Sequence, residues 1–250
     1  MRGLRLVAWT SFGAIAVGGL LGFAVGAVAA GSAGALAWPE RLAQGERAAL
    51  EQVVKSASIS TRMELPAFPA RPEVFEYLLE HPEFASHVTR TLRASRLRLW
   101  ANGDRLELDD GWGARGQLRL VHAEPGRRLY HVRGRAVQAL LPDIYGQSVV
   151  EYTYAFHRPA GGSPGGLAEA STTVTAYVAL DSKLLARASA VIGPLAQAKA
   201  DKEAIRLLKV FGRVSRATVE RPDEVLTRLR DAQGVPAAEL AEFRRLLRPS

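Results

Sequence analysis

The 250-residue chain contains no cysteine. Disulfides, thiol nucleophiles and cysteine-ligated metals are therefore excluded, and the folded part must stand on an apolar core alone. Charge is missing from one long stretch: between Leu6 and Pro39 there is no Asp, Glu, Lys or Arg. A metal signature such as HExxH is missing as well, and the five histidines, His81, His87, His122, His131 and His157, are scattered. The sequence thus gives no reason to expect a metal or a cofactor.

The uncharged stretch carries LVAWTSFGAIAVGGLLGFAVGAVAA from Leu6, longer than the roughly 20 apolar residues that cross a bilayer. Arg2 and Arg5 precede it and favour an inside N-terminus, which exports everything after residue 40. Residues 1–37 read as a transmembrane anchor or a signal peptide. The apolar run exceeds the usual signal core of about 7 to 15 residues, yet Ala27-Val28-Ala29 and Ala35-Leu36-Ala37 have the spacing of a processing site. The expected location is the cell membrane with the domain on the outer, periplasmic or extracytoplasmic side, or the periplasm after cleavage. Gly18, Gly22 and Gly26 form overlapping GxxxG spacings, which permit a homodimer through close helix pairing and also occur simply because glycine is common in membrane segments. The formal net charge of +8 points an exported domain to anionic lipid headgroups rather than nucleic acid.

Residues 38–56 read as a juxtamembrane helix or linker. Ile59, Thr61, Met63 and Leu65 then alternate with polar residues as a half-buried strand does. Pro66, Pro69 and Arg71 spell a PxxPxR ligand pattern, but their neighbours are a strand end and a helix start at Pro72. They are expected to form a stiff turn between the two. Short helices follow at about 72–80 and 82–92. From Ser95 short alternating runs mark an antiparallel sheet, with Asn102-Gly103 as a hairpin signal. Seven strands result in all. A long helix from Asp181 has two apolar faces that a straight helix cannot bury together, so a kink or break is expected near Gly193-Pro194. Residues 220–250 read as a helical tail behind a domain of 57–219.

The order of strand, two short helices, six strands and long terminal helix resembles the START-like superfamily, also called SRPBCC, polyketide cyclase-like or helix-grip. The local match is MELPAFPARPEVFEYLLEHPEFASHV, carried by Pro69, Glu73, Val74, Phe75, Leu78 and Leu79. The resemblance implies an α+β fold in which a curved seven-stranded antiparallel sheet grips a long, kinked C-terminal helix around a hydrophobic cavity. It implies lipid, sterol-like or polyketide-like ligands, and fold alone does not choose among carriers, receptors and cyclases. The expectation is non-catalytic binding of a hydrophobic small molecule. The alternatives are a cyclase or aromatase-like enzyme and an envelope interaction module without an open cavity.

Tyr152, Tyr154 and Phe156 share one strand face, with Tyr130 on a neighbouring strand. They are candidates to line the cavity or simply the core. Trp112, in GWGARG, is a candidate for the cavity rim, and Leu195 for its helical wall. His122 is expected beside Leu118 and Leu120 as a polar handle or as a surface residue. The glycine pattern itself fits GxGxxG, but a strand follows it where a dinucleotide site needs a helix. Asp109 and Asp110 are adjacent, so in a strand they point opposite ways and make no acid–base couple. Lys199, Lys202, Arg206, Lys209, Arg213 and Arg216 fall within about a 100-degree arc of a helix, read as a solvated face or a contact for an anionic membrane surface.

Overall fold

The computed structural model describes residues 36–137, 143–158, 166–181 and 183–248, with the backbone alone for helix residues 183–196 and 199–200. The apolar segment, with Gly18, Gly22 and Gly26, lies outside the described residues. Among the described residues no helix is long and apolar enough to cross a membrane.

The fold is α+β. After α1 (Gln44–Lys55) come β1 (Ile59–Ala70), α2 (Pro72–Glu80) and α3 (Pro82–Thr91). Six further strands follow: β2 (Arg98–Asn102), β3 (Arg105–Asp109), β4 (Ala114–Glu124), β5 (Arg127–Ala136), β6 (Ile144–His157) and β7 (Ala168–Leu180). Helices α4 (Lys183–Glu220), α5 (Pro222–Asp231) and α6 (Ala237–Leu247) complete the chain. All strands pair antiparallel in one open sheet of order β1-β7-β6-β5-β4-β3-β2. Pro72, Pro82 and Pro222 each open a helix, where the missing N–H is not needed.

The prolines do not form a separate turn. Pro66 and Pro69 lie inside β1, with a register shift between Leu65 and Phe68. Because β1 is an edge strand, one side of its backbone needs no partner, and a bulge absorbs the donor that proline lacks. The β2–β3 hairpin also turns one residue later than Asn102-Gly103 suggests. Asn102 still pairs with Arg105, and Gly103 takes φ +64° as the first turn residue. Helix α4 runs as one element through Gly193-Pro194, so the sequence there does not divide it into two helices.

The sheet's two faces carry different cores. The inner face packs Met63, Leu118, Val132, Val150, Tyr152 and Val174 against Phe75 and Leu79 of α2 and Leu208 of α4. The back face packs Leu129, Val149 and Ala179 under Leu50 and Val53 of α1, with Leu36, Trp38 and Leu42 alongside. Residues 38–56 are therefore joined to the sheet rather than detached from it. A third cluster joins Val74, Tyr77, Phe84 and Val88 of the short helices to Val214, Val225, Leu229, Phe243 and Leu247.

Candidate functional site

Directly opposed residues in an antiparallel sheet point to the same face. Tyr130 opposes Val150, Arg128 opposes Tyr152, which opposes Val174, and Tyr154 opposes Thr172. Three tyrosines, an arginine and a threonine thus converge on the inner face, where α2 adds Phe75 and Glu76. Phe75 is the centre of the ring packing, with Phe68, Tyr152, Tyr154, Phe156 and Phe211 all within 6.4 Å between centroids.

A polar chain runs through this apolar surrounding. The Tyr154 hydroxyl donates to Glu76 Oε2 at 2.7 Å, and Arg128 Nη2 donates to the same oxygen at 2.9 Å. Arg128 Nη1 caps the β4–β5 turn by donating to the Glu124 carbonyl at 2.5 Å. Tyr152 and Thr172 are both buried, and neither hydroxyl completes a hydrogen bond of ordinary geometry among the described residues. They are near enough for Thr172 to oppose part of the rise in the Tyr152 pKa that burial causes. Burial also pushes Tyr130 up to about 12, against the pull of Arg128. Tyr154 is raised by burial first and then by its bond to the Glu76 carboxylate. All three phenols therefore remain protonated at neutral pH, as hydrogen-bond donors in an apolar space.

The other candidates lie elsewhere. A bulge between Leu120 and His122 sets His122 opposite Leu129, on the back face and away from Leu118 and Leu120. The extra residue in the bulge is what reverses the alternation. Trp112 is exposed in the β3–β4 loop, with the Arg96 guanidinium 4.3 Å from its ring centroid. That loop's N–H groups are already used: Gly111 donates to Asp109 at 2.8 Å, and Trp112 and Ala114 donate to Asp110 at 2.7 and 2.9 Å. The two aspartates organise the turn, and those amides are not free to cradle a phosphate. The side chain of Leu195 lies outside the described residues, as does that of Lys199.

The α4 cations do not make one solvated arc. Lys202, Arg213 and Arg216 are exposed, but Arg206 is packed down onto Glu203 with a 2.7 Å ion pair, and Lys209 is half-buried. The helix is covered on two sides, by the sheet at Leu208 and by the helical cluster at Val214 and Ala217. Among the described residues no group of three His, Asp or Glu is placed to hold a metal.

Glu76, Arg128 and Thr172 were not singled out from the sequence. Period-two alternation reveals the tyrosine stripe but not the register that places Arg128 and Thr172 beside it. No family model matches the chain, and no curated protein matches it in sequence.

Proposed function

We propose that this domain binds a hydrophobic small molecule with a polar group, lipid, sterol-like or polyketide-like, on the inner face of the sheet, without changing it. The observation that carries the reading is the pair of buried hydroxyls, Tyr152 and Thr172, which interact with each other but complete no hydrogen bond of ordinary geometry among the described residues. A buried polar group left unpaired costs about 1 to 3 kcal/mol, and a ligand carbonyl or hydroxyl would remove that cost. Tyr130 supplies a further donor nearby, and Leu120, exposed on the same face, offers an apolar approach. The order of elements that resembles the START-like superfamily supports the same reading, with α4 as the gripped helix.

The test compares the full chain, purified in detergent, with Tyr152→Phe and Thr172→Val. Organic extraction with mass spectrometry should show a compound enriched over the detergent-borne lipid background. Displacement of a fluorescent fatty acid should be saturable, and each substitution should weaken it about tenfold, the equivalent of one hydrogen bond of about 1.4 kcal/mol. No enriched compound and no saturable uptake overturn the proposal.

One observation favours a second reading, an envelope interaction module whose cavity is closed. Five rings pack around Phe75 and occupy the space there. Under this reading the hydroxyls are a local cost of packing, and neither substitution changes what the chain retains.

A further inference from the structure

The back face of the sheet differs from the inner face in one respect: on β2 to β5, outside the patch covered by α1, it is rich in arginine. Two rows cross it, Arg98–Asp109–Arg115–Arg135–Tyr145 and Trp100–Glu107–Gln117–Arg133–Gln147. Beside them a cleft of about 290 Å³ is lined by Asp104, Arg105, Gln117, Arg119, His131 and Arg133. The carboxylates lie beneath the guanidiniums. Asp109 is only 11% exposed, whereas its partners Arg98 and Arg115 are 57% and 64% exposed. Arg119 leans on Glu46, Arg135 on Asp143, and Arg133 has no ion-pair partner among the described residues. Asp104, at the hairpin tip, and Glu124 and Glu64, toward the far end of the sheet, are the exposed exceptions. Trp100 and Tyr145, 43% and 50% exposed, stand among these cations.

The second observation is where the chain enters the fold. Leu36, Trp38 and Leu42 already pack on the back-face cluster, and Arg127 donates to the Ala37 carbonyl. At about 3.5 Å per residue, the first pinned position, Leu36, lies within about 20 Å of Ala30, the end of the apolar segment. A chain so tethered cannot hold its sheet far from whatever the segment occupies.

We infer that the back face of the sheet is a membrane-facing surface, with its arginines on the phosphates of anionic lipid headgroups and Trp100 and Tyr145 at the interface. Long cationic side chains over apolar stems, interleaved with Trp and Tyr, suit that boundary. Each cation near a charged leaflet adds to the attraction, which salt weakens. The inference rests on the reading of the apolar segment as membrane-spanning and is independent of the proposed ligand. It also replaces the α4 cations as the membrane contact, since Arg206 there is packed down onto Glu203 and only 12% exposed.

The absence of cysteine makes the test direct. A fluorophore is attached to the full chain through Trp100→Cys or Arg133→Cys on the back face, or through Lys202→Cys or Arg213→Cys on α4. The chains are reconstituted in phosphatidylcholine vesicles, with and without phosphatidylglycerol, and quenched by a headgroup-labelled nitroxide lipid. The back-face probes should be quenched several-fold more than the α4 probes, with the contrast larger in phosphatidylglycerol and smaller in high salt. Equal quenching, or stronger quenching of α4, overturns the placement. A contrast indifferent to phosphatidylglycerol and salt overturns the headgroup assignment. Release of the chain from its native membrane by alkaline carbonate overturns the anchor and this inference with it, and leaves the ligand proposal standing.

Discussion

Tyr130 holds its proton far into the alkaline range because its phenolate would have to form in an apolar space. An unfolded tyrosine gives up its proton near pH 10, whereas folded Tyr130 keeps it to about 12. Between those values the folded state binds more protons, so the stability Tyr130 contributes is complete below about pH 10 and is lost as the pH rises toward 12. The loss is on the order of 2 kcal/mol. Tyr152 and Tyr154 are shifted in the same direction and add to it. Urea unfolding of the full chain in detergent should therefore show a lower midpoint at about pH 11.5 than at about pH 9. Tyr130→Phe should flatten that decline; a decline as steep as the parent's would mean that another group carries it. The same residue illustrates what a sequence can reveal. Its spacing of two from Arg128 and Val132 puts all three on one strand face, but its distance from Tyr152 depends on a pairing register that no local pattern encodes.

At the scale of elements, the inner face is crossed by a row in which Gly116, Gly134 and Gly146 are directly opposed on β4, β5 and β6. A Cβ built on Gly116 would run into the Arg133 carbonyl oxygen, and one on Gly134 would lie 2.8 Å from that of Arg115. The two strands approach more closely here than any side chain permits, so Gly116→Ala must push β4 away from β5. The cost should be about 3 kcal/mol, in the range of overpacked interiors. Gly45→Ala is the contrasting control. Its Cβ meets nothing within 4 Å at the start of α1, and it should add about 0.5 kcal/mol through helix propensity. Thermal unfolding of the two variants beside the parent checks both signs. Element type was largely readable from the sequence: alternation marked the strands, and prolines marked the starts of α2 and α3. What was not readable depended on pairing. The edge position of β1 is what admits Pro66 and Pro69 into a strand, and the bulge after Leu120 is what turns His122 to the back. Both are relations between strands, which periodicity along one strand cannot express.

At the scale of the molecule, three apolar clusters are held by shared elements rather than by separate units. Helix α4 gives Ala204 and Leu208 to the cluster under the sheet and Val214 and Ala217 to the helical cluster. Helix α2 does the same with Phe75 on one side and Val74 and Tyr77 on the other. The last two helices, which the sequence suggests are a tail, are part of this arrangement. Phe243 of α6 is fully buried against Phe84 and Tyr77, with ring centroids 5.2 and 6.2 Å away, and the Tyr77 hydroxyl donates to the Glu239 carbonyl at 3.0 Å. A tail that merely rested on the domain could be loosened without consequence for the sheet. These contacts predict otherwise, because losing Phe243 opens a cavity beside the helix that supports the aromatic cluster. Phe243→Ala should cost about 3 to 4 kcal/mol, as large-to-small changes at buried aromatic sites do. The loss should appear in the unfolding of the whole domain, as a lower midpoint with one transition in both helix circular dichroism and tyrosine fluorescence. An unchanged main transition, with an added early loss of helix signal, would instead show that α5 and α6 fold as an appendage.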